Sequence, residues 1–249
     1  MKRAALVTGA ARGIGLAVAR TFAGAGWEVW GLDLHEPGDG SPFRGFLTAD
    51  VAEPEQVRRA VATLAEGSGR LDVLVNNAAL QVALPLLETP PEVWDRVLAV
   101  NLRGALLCAQ AAYPLLKAVR GSVVNMSSVH AAATSRSIAA YAVSKGGLAA
   151  LTRTMALEFA ADGVRANAVL PGAVDTEMLR DGLRRGHLDG ADEEALLADL
   201  GARHPLGRIA RPEEIARAVL FLADSEQSSF VTGHCLTVDG GALCRLSTE

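Results

Sequence analysis

Aromatic residues are scarce in this chain: two Tyr, three Trp and six Phe among 249 residues. Half the residues are nonetheless apolar. The core must therefore be assembled from Ala, Val and Leu, which lets helices lie close on a parallel sheet. Cysteine is also sparse. Cys108, Cys235 and Cys244 are scattered and odd in number, which argues against a disulfide framework and fits buried, inert thiols in a reducing cytosol. Charge of one sign is missing: the formal net charge is -4, without a long acidic or basic run, so nothing resembles a nucleic-acid footprint. Gly, Asn or charge interrupts every apolar stretch well short of the ~18 residues of a membrane span. The opening Met1-Lys2-Arg3-Ala4 enters an apolar run at once, with no small-residue cleavage site of a signal peptide. These absences predict a cytoplasmic protein with neither a membrane nor a nucleic-acid partner. No metal site is expected.

Strand-like and helical stretches alternate from the start. Ala4–Thr8 is a short apolar run that enters glycine-rich sequence, and residues 12–25 have helical periodicity up to Gly26. Further strands are predicted at Glu28–Asp33, 45–50, 71–76, 122–127, 164–170 and Cys235–Val238. Helices are predicted from about Glu53, over 91–100, 102–118 and 141–161, and over Pro212–Ala223. Seven strands separated by helices imply an α/β fold: one doubly wound parallel sheet with helices on both faces. No repeat or linker divides the chain, so one domain is expected. Residues 175–205 break the pattern. They are rich in charge, with Gly186 and Gly190 near the centre, and too long for an ordinary connection. Such an insertion at the carboxyl end of a sheet is a candidate lid.

The first strand runs into Thr8-Gly9-Ala10-Ala11-Arg12-Gly13-Ile14-Gly15. Gly9 can make a tight turn, Gly13 can let backbone approach a pyrophosphate, and Gly15 can seat the helix close to the sheet. Glycine-rich loops also serve flavins, other phosphates and plain turns, so position between the first strand and first helix matters. Asp33, at the end of the second strand, can accept both hydroxyls of an adenosine ribose and repel a 2′-phosphate. Leu34 and His35 after it offer no arginine for that phosphate, whereas Arg12 in the loop is a counterweight. NAD is expected over NADP. Asp50-Val51 could set a carboxylate by the adenine amine and an apolar side chain by its ring.

Tyr141-Ala142-Val143-Ser144-Lys145 places a lysine one helical turn from a tyrosine. A nearby ammonium favours phenolate and would lower the tyrosine from about 10 towards working pH. Such a tyrosine can take or return an alcohol proton. Ser127-Ser128, ending a strand at the ligand-binding edge, could hydrogen-bond the substrate oxygen. Alone, each of these patterns is commonly a helix surface pair or a turn.

In one order the chain presents Thr8-Gly9-x-x-x-Gly13-x-Gly15, Asn76-Asn77-Ala78, Asn101, Ser128, Tyr141-x-x-x-Lys145, Pro171-Gly172 and Val238-Asp239-Gly240-Gly241. Together they resemble the short-chain dehydrogenase/reductase family over nearly the whole length. The resemblance implies hydride transfer between NAD(H) and a secondary alcohol or ketone. It casts Tyr141 as acid/base and Lys145 as the group that lowers its pKa and binds the nicotinamide ribose. Ser128, thirteen positions before Tyr141, orients the substrate oxygen, and Asn101 holds a relay water. Ile14 and Ala78 join the cofactor loops, Asn77 sits near the adenosine, and Val174 and Thr176 after Pro171-Gly172 meet the nicotinamide carboxamide. The usual Asn-Asn-Ala-Gly reads Asn76-Asn77-Ala78-Ala79 here, which adds a methyl beside the cofactor. Family members are usually tetramers or dimers, and a homotetramer is expected.

The substrate is less legible. Gln81 and His130 resemble carboxylate-holding positions of 3-hydroxybutyrate dehydrogenases. The lysine of those enzymes is Ile138 here, with Arg136 nearby. A small polar substrate, whether a hydroxy acid, polyol or sugar, is expected. Reduction of 3-oxoacyl groups on an acyl carrier protein is the alternative. Ala160-Ala161-Asp162-Gly163 at the end of the Tyr141 helix offers no positive charge for that acidic partner. A non-catalytic nucleotide-binding regulator is a reading of another class, which the intact Ser128, Tyr141 and Lys145 argue against. In the candidate lid, Arg180, Arg184, Arg185 and His187 form either a solvated helical face or a contact to an anionic group.

Overall fold

The computed structural model describes residues 2–186 and 192–244. Its centre is one seven-stranded sheet in the order β3-β2-β1-β4-β5-β6-β7. The strands are β1 Ala4–Thr8, β2 Glu28–Asp33, β3 Gly45–Thr48, β4 Val73–Asn76, β5 Ser122–Met126, β6 Arg165–Pro171 and β7 Cys235–Val238. Every neighbouring pair is parallel. The central strands are buried along their length, as expected of a sheet covered on both faces.

The helices supply that cover. α1 (Gly13–Gly24) and α8 (Pro212–Ala223) pack on one face around Phe22, Val18, Ile215 and Leu222. α2 (Pro54–Ser68), α4 (Gly104–Val119) and α5 (Ala139–Phe159) cover the other around Leu64, Leu116 and Met155. Strand order reverses between β1 and β4, which opens a crevice at their carboxyl ends. Among the described residues no helix is long and apolar enough to cross a membrane.

Three differences from expectation bear on the site. β3 stops at Thr48 because Asp50 turns away: its N–H donates to Gln56 Oε1, and its carboxylate caps Ala52 N. The two helices expected over 91–100 and 102–118 are continuous. α3 (Pro91–Leu98) passes through a π-helical turn, Ala99–Arg103, into α4. Such wide turns often mark functional sites, and Asn101 sits in this one. The 175–205 stretch contains α6 (Glu177–Gly186) and α7 (Glu193–Ala202). Beyond α8 a short helix α9, Ser225–Ser228, precedes β7.

Candidate active site

The glycine-rich turn is folded around its own backbone. Gly9 has φ +65°, and a side chain there would meet the Cα of Ala78 at 2.7 Å. A Cβ on Gly15 would lie 2.0 Å from the Gly9 carbonyl oxygen. Asn77 clamps this contact: its side-chain N–H groups donate to the carbonyls of Thr8 and Gly9, both at 3.0 Å. The Thr8 hydroxyl accepts from the N–H groups of Asn77 and Ala78, also at 3.0 Å. This hydroxyl is a determinant that glycine counting misses. Its signal was present, since Thr8 opens the motif. α1 carries no side-chain cap, so its first N–H groups remain available to an anion. Ile14 packs against the apolar cluster beneath the turn.

Asp33 reaches the turn from β2. Its carboxylate accepts from Ala11 N at 3.0 Å and His35 N at 3.1 Å. Arg12, the expected counterweight, pairs instead with Glu177 of α6 at 2.6 Å. Asp50 accepts from Arg96 at 2.7 Å, and Val51 is buried under α4 beside Gly104. On the far side of the crevice β6 ends at Pro171. Gly172 N bonds Val238 O, Val174 is buried and bridges to Ala210, and Thr176 caps Leu179 N.

The two serines at the end of β5 take different roles. The Ser128 hydroxyl accepts His130 N–H at 3.2 Å and stands near enough to the Tyr141 hydroxyl for a hydrogen bond between them to lower the Tyr141 pKa. The Ser127 hydroxyl instead donates to the Lys145 carbonyl at 2.8 Å. Lys145 is buried, with Nζ donating to Met126 O at 2.7 Å and 5.4 Å from the centre of the Tyr141 ring. Asn101 pairs with the backbone of Leu80 through both ends of its amide, at 2.7 and 2.9 Å. It also donates to Ser144, whose hydroxyl donates to the Tyr141 carbonyl at 2.6 Å. Ser144 is a second residue that motif reading passed over. The grip on Leu80 also seats the loop after Ala79, a residue without the positive φ that would favour glycine.

Electrostatics correct one expectation. Burial pushes the Tyr141 hydroxyl up to about 12, opposed only by the Ser128 hydrogen bond. Burial pushes the Lys145 ammonium down to about 7. The lysine does not lower the tyrosine here, because desolvation disfavours both charged forms and Nζ is aimed at a carbonyl. A stability signature follows. Between about pH 7 and 10.5 the unfolded chain holds a Lys145 proton that the folded chain has released. Stability therefore rises with pH across that window, and above about 10 the raised Tyr141 reverses the trend. The melting temperature of the wild type minus that of Lys145→Met should grow from about pH 7 to 9 in paired thermal scans. A flat difference contradicts a proton-poor Lys145.

Around this centre lie the candidate substrate residues. His130 meets the Tyr141 ring edge-on at 5.9 Å. Among the described residues its Nδ1 is buried without a partner, and burial holds its pKa below the usual value. Gln81 faces α6, with Nε2 3.8 Å from where a Gly182 side chain would begin. Ile138 is buried and bridged to Leu84, whereas Arg136 is exposed. In the 175–205 stretch, Arg180 joins α6 to α7 through Asp175 (2.9 Å), Glu193 (2.7 Å) and Glu194 (3.5 Å). Three carboxylates thus hold it. His187 lies outside the described residues, as do the side chains of Arg184 and Arg185.

Two further expectations are corrected. The thiols are not uniformly buried: Cys108 is, but Cys235 is half-buried and Cys244 exposed in the turn after β7. Positive charge does stand at the end of α5. The end of α4 brings Lys117 within 2.9 Å of Asp162 and sets Arg120 against Gly163. Residues distant in sequence supply what the local segment lacks.

A family model described as enoyl-(acyl carrier protein) reductase matches residues 9–242. The chain is 40% identical to cis-4-hydroxycyclohexanecarboxylate dehydrogenase of Sinomonas cyclohexanicum, over 96% of each chain. It is 36% identical to the 3-oxoacyl-(acyl-carrier-protein) reductase FabG of Thermotoga maritima, again over 96% of each. Among solved structures it resembles the ligand-free aldohexose dehydrogenase of Thermoplasma acidophilum, with a TM-score of 0.93 and 36% identity. That match covers 99% of this chain and 96% of the other.

Proposed function

The chain belongs to the short-chain dehydrogenase/reductase family, and from that premise we propose an NAD(H)-dependent oxidoreductase acting on a secondary alcohol or its ketone. Its substrate is small and polar, in the class of hydroxy acids, polyols and sugars. The observation that carries this reading is that Asp33 and the hydrogen-bonded Ser128–Tyr141 pair lie at the carboxyl edge of one sheet. The uncapped α1 N-terminus fits a dinucleotide pyrophosphate. So does the open space at Gly13, where a side chain would meet only the Thr176 side chain, at 3.5 Å.

In this reading the Gly9–Gly15 turn holds the pyrophosphate, Asp33 the adenosine ribose, and Asp50-Val51 the adenine. Asn77 and Ala78 lie beneath the nucleotide. Pro171, Gly172, Val174 and Thr176 face the carboxamide. When bound, the nicotinamide supplies the hydride acceptor or donor. Ser128 orients the substrate oxygen, and Tyr141 takes or returns the proton at that oxygen. Lys145, whose Nζ donates to Met126 O, would bind the nicotinamide ribose. Asn101 Oδ1 accepts from Leu80 N and keeps its second lone pair for a relay water. Gln81 and the unpartnered Nδ1 of His130 face the polar part of the substrate. α6 and α7, the described helices of the 175–205 stretch, act as the lid, and the protein assembles as a tetramer or dimer.

An oxidation screen with NAD⁺ and NADP⁺ tests this reading. Its panel holds hydroxycyclohexanecarboxylates, other hydroxy acids, polyols, aldohexoses and, in reverse, a 3-oxoacyl thioester. At least about tenfold preference for NAD⁺ is expected from two-point ribose recognition by a carboxylate. Equal rates with both cofactors would remove the role given to Asp33. Activity confined to the thioester would favour the acyl-carrier reductase reading, which Lys117, Arg120 and the FabG relative support. NADH binding without turnover on any alcohol or ketone would favour a regulator.

A further inference from the structure

Arg12 is the sole basic side chain of the glycine-rich turn. Next to it, Ala11 donates its N–H to Asp33 at 3.0 Å. Arg12 nevertheless forms no ion pair with Asp33. Its guanidinium reaches across to α6 and meets Glu177 Oε2 at 2.6 Å, a contact spanning 165 positions. Thr176, just before Glu177, is the side chain nearest Gly13. Two carboxylates thus attend the turn, one from β2 on its backbone and one from α6 on its cation.

We propose that Glu177 is a cofactor-specificity determinant that acts by withholding Arg12 from the 2′-phosphate of NADP. The proposal rests on reading this turn as the dinucleotide site. A guanidinium is the side chain best shaped to grip a phosphate, with paired N–H donors. Free at this position, Arg12 would offset the repulsion that Asp33 exerts on a 2′-phosphate. Bound to Glu177, it must first be released. Asp33 and Glu177 therefore act on the same choice by different means, one by repelling the phosphate and the other by occupying its natural partner. Both side chains of the pair are about two-thirds exposed, at 66% and 67%. The effect is accordingly that of a surface ion pair, up to about fivefold in affinity and reduced by salt.

NADPH and NADH titrations followed by fluorescence test this without a known substrate. The proteins compared are the wild type, Glu177→Gln, Arg12→Ala and the double variant. Glu177→Gln should tighten NADPH binding about threefold to fivefold and leave NADH within about twofold. Glu177→Asp should restore much of the wild-type ratio. In the Arg12→Ala background Glu177→Gln should no longer affect NADPH, and at high ionic strength the gain should shrink. No gain in NADPH affinity, or an equal gain without Arg12, overturns the proposal. A wild type that prefers NADPH would contradict the role of Asp33, yet the Arg12-dependent response to Glu177→Gln would still be readable. A chain that binds neither nucleotide overturns the site reading and this proposal with it.

Discussion

Replacing Tyr141 with Phe is expected to lower turnover about 10³-fold, within the 10²–10⁴ range of general acid–base catalysis. NADH affinity should stay within about twofold. The side chain is buried, its hydroxyl already sits above the ordinary tyrosine value, and its one identified hydroxyl partner is Ser128. Phe fills the same space, and the Ser128 oxygen still accepts from His130 N–H. The fold should therefore tolerate the change, at a cost of about 1 kcal/mol for the lost hydrogen bond. Steady-state kinetics on the best alcohol of the screen, with NADH titration alongside, separates chemistry from binding. Turnover within about tenfold of the wild type would refute Tyr141 as the acid/base.

Gly15→Ala is expected to act on binding and stability together. Its new methyl would stand 2.0 Å from the Gly9 carbonyl oxygen and 2.6 Å from Asn77 Nδ2. Neither neighbour can yield cheaply. The Gly9 carbonyl is backbone, and Asn77 is committed to Thr8 and Gly9. α1 must shift, with an overpacking cost of about 1–3 kcal/mol and about 1 kcal/mol more for each clamp bond broken. The turn that should hold the pyrophosphate moves with it, so NADH affinity should fall about 100-fold, as small misplacements at a site can do. Gly24→Ala is the control. It lies at the end of the same helix with open space around it and should be neutral or slightly stabilising. Wild-type NADH binding by Gly15→Ala, measured beside its melting temperature, would show that the close approach is dispensable.

The sheet was legible from sequence because strands buried on both faces are continuous apolar runs, and Gly, Asn or Pro punctuates their ends. Boundaries were less so. The π-helical turn at Ala99–Arg103 leaves no periodicity signal, since one wide turn disturbs only a few positions. The ammonium-lowered tyrosine was a reasonable inference from i, i+4 spacing. It fails here because spacing encodes proximity but not solvent, and burial governs both groups. The charge at the end of α5 was missed because Lys117 and Arg120 arrive from another helix.

By itself the sequence determined the alternation of strand and helix, and with it the doubly wound sheet. It also ordered the candidate site residues along the chain: Gly9 to Gly15, Asp33, Asn101, Ser128, Tyr141 and Lys145. Such features are local, or depend on fixed spacing within one element. Only the tertiary structure decided that Ser127 turns to the Lys145 carbonyl, and that Asn101 is anchored to Leu80 and Ser144. It also decided that Arg12 belongs to Glu177 and not to Asp33. These are contacts between elements, set by how helices settle on the sheet, and side chains so far apart in sequence leave no pattern within it.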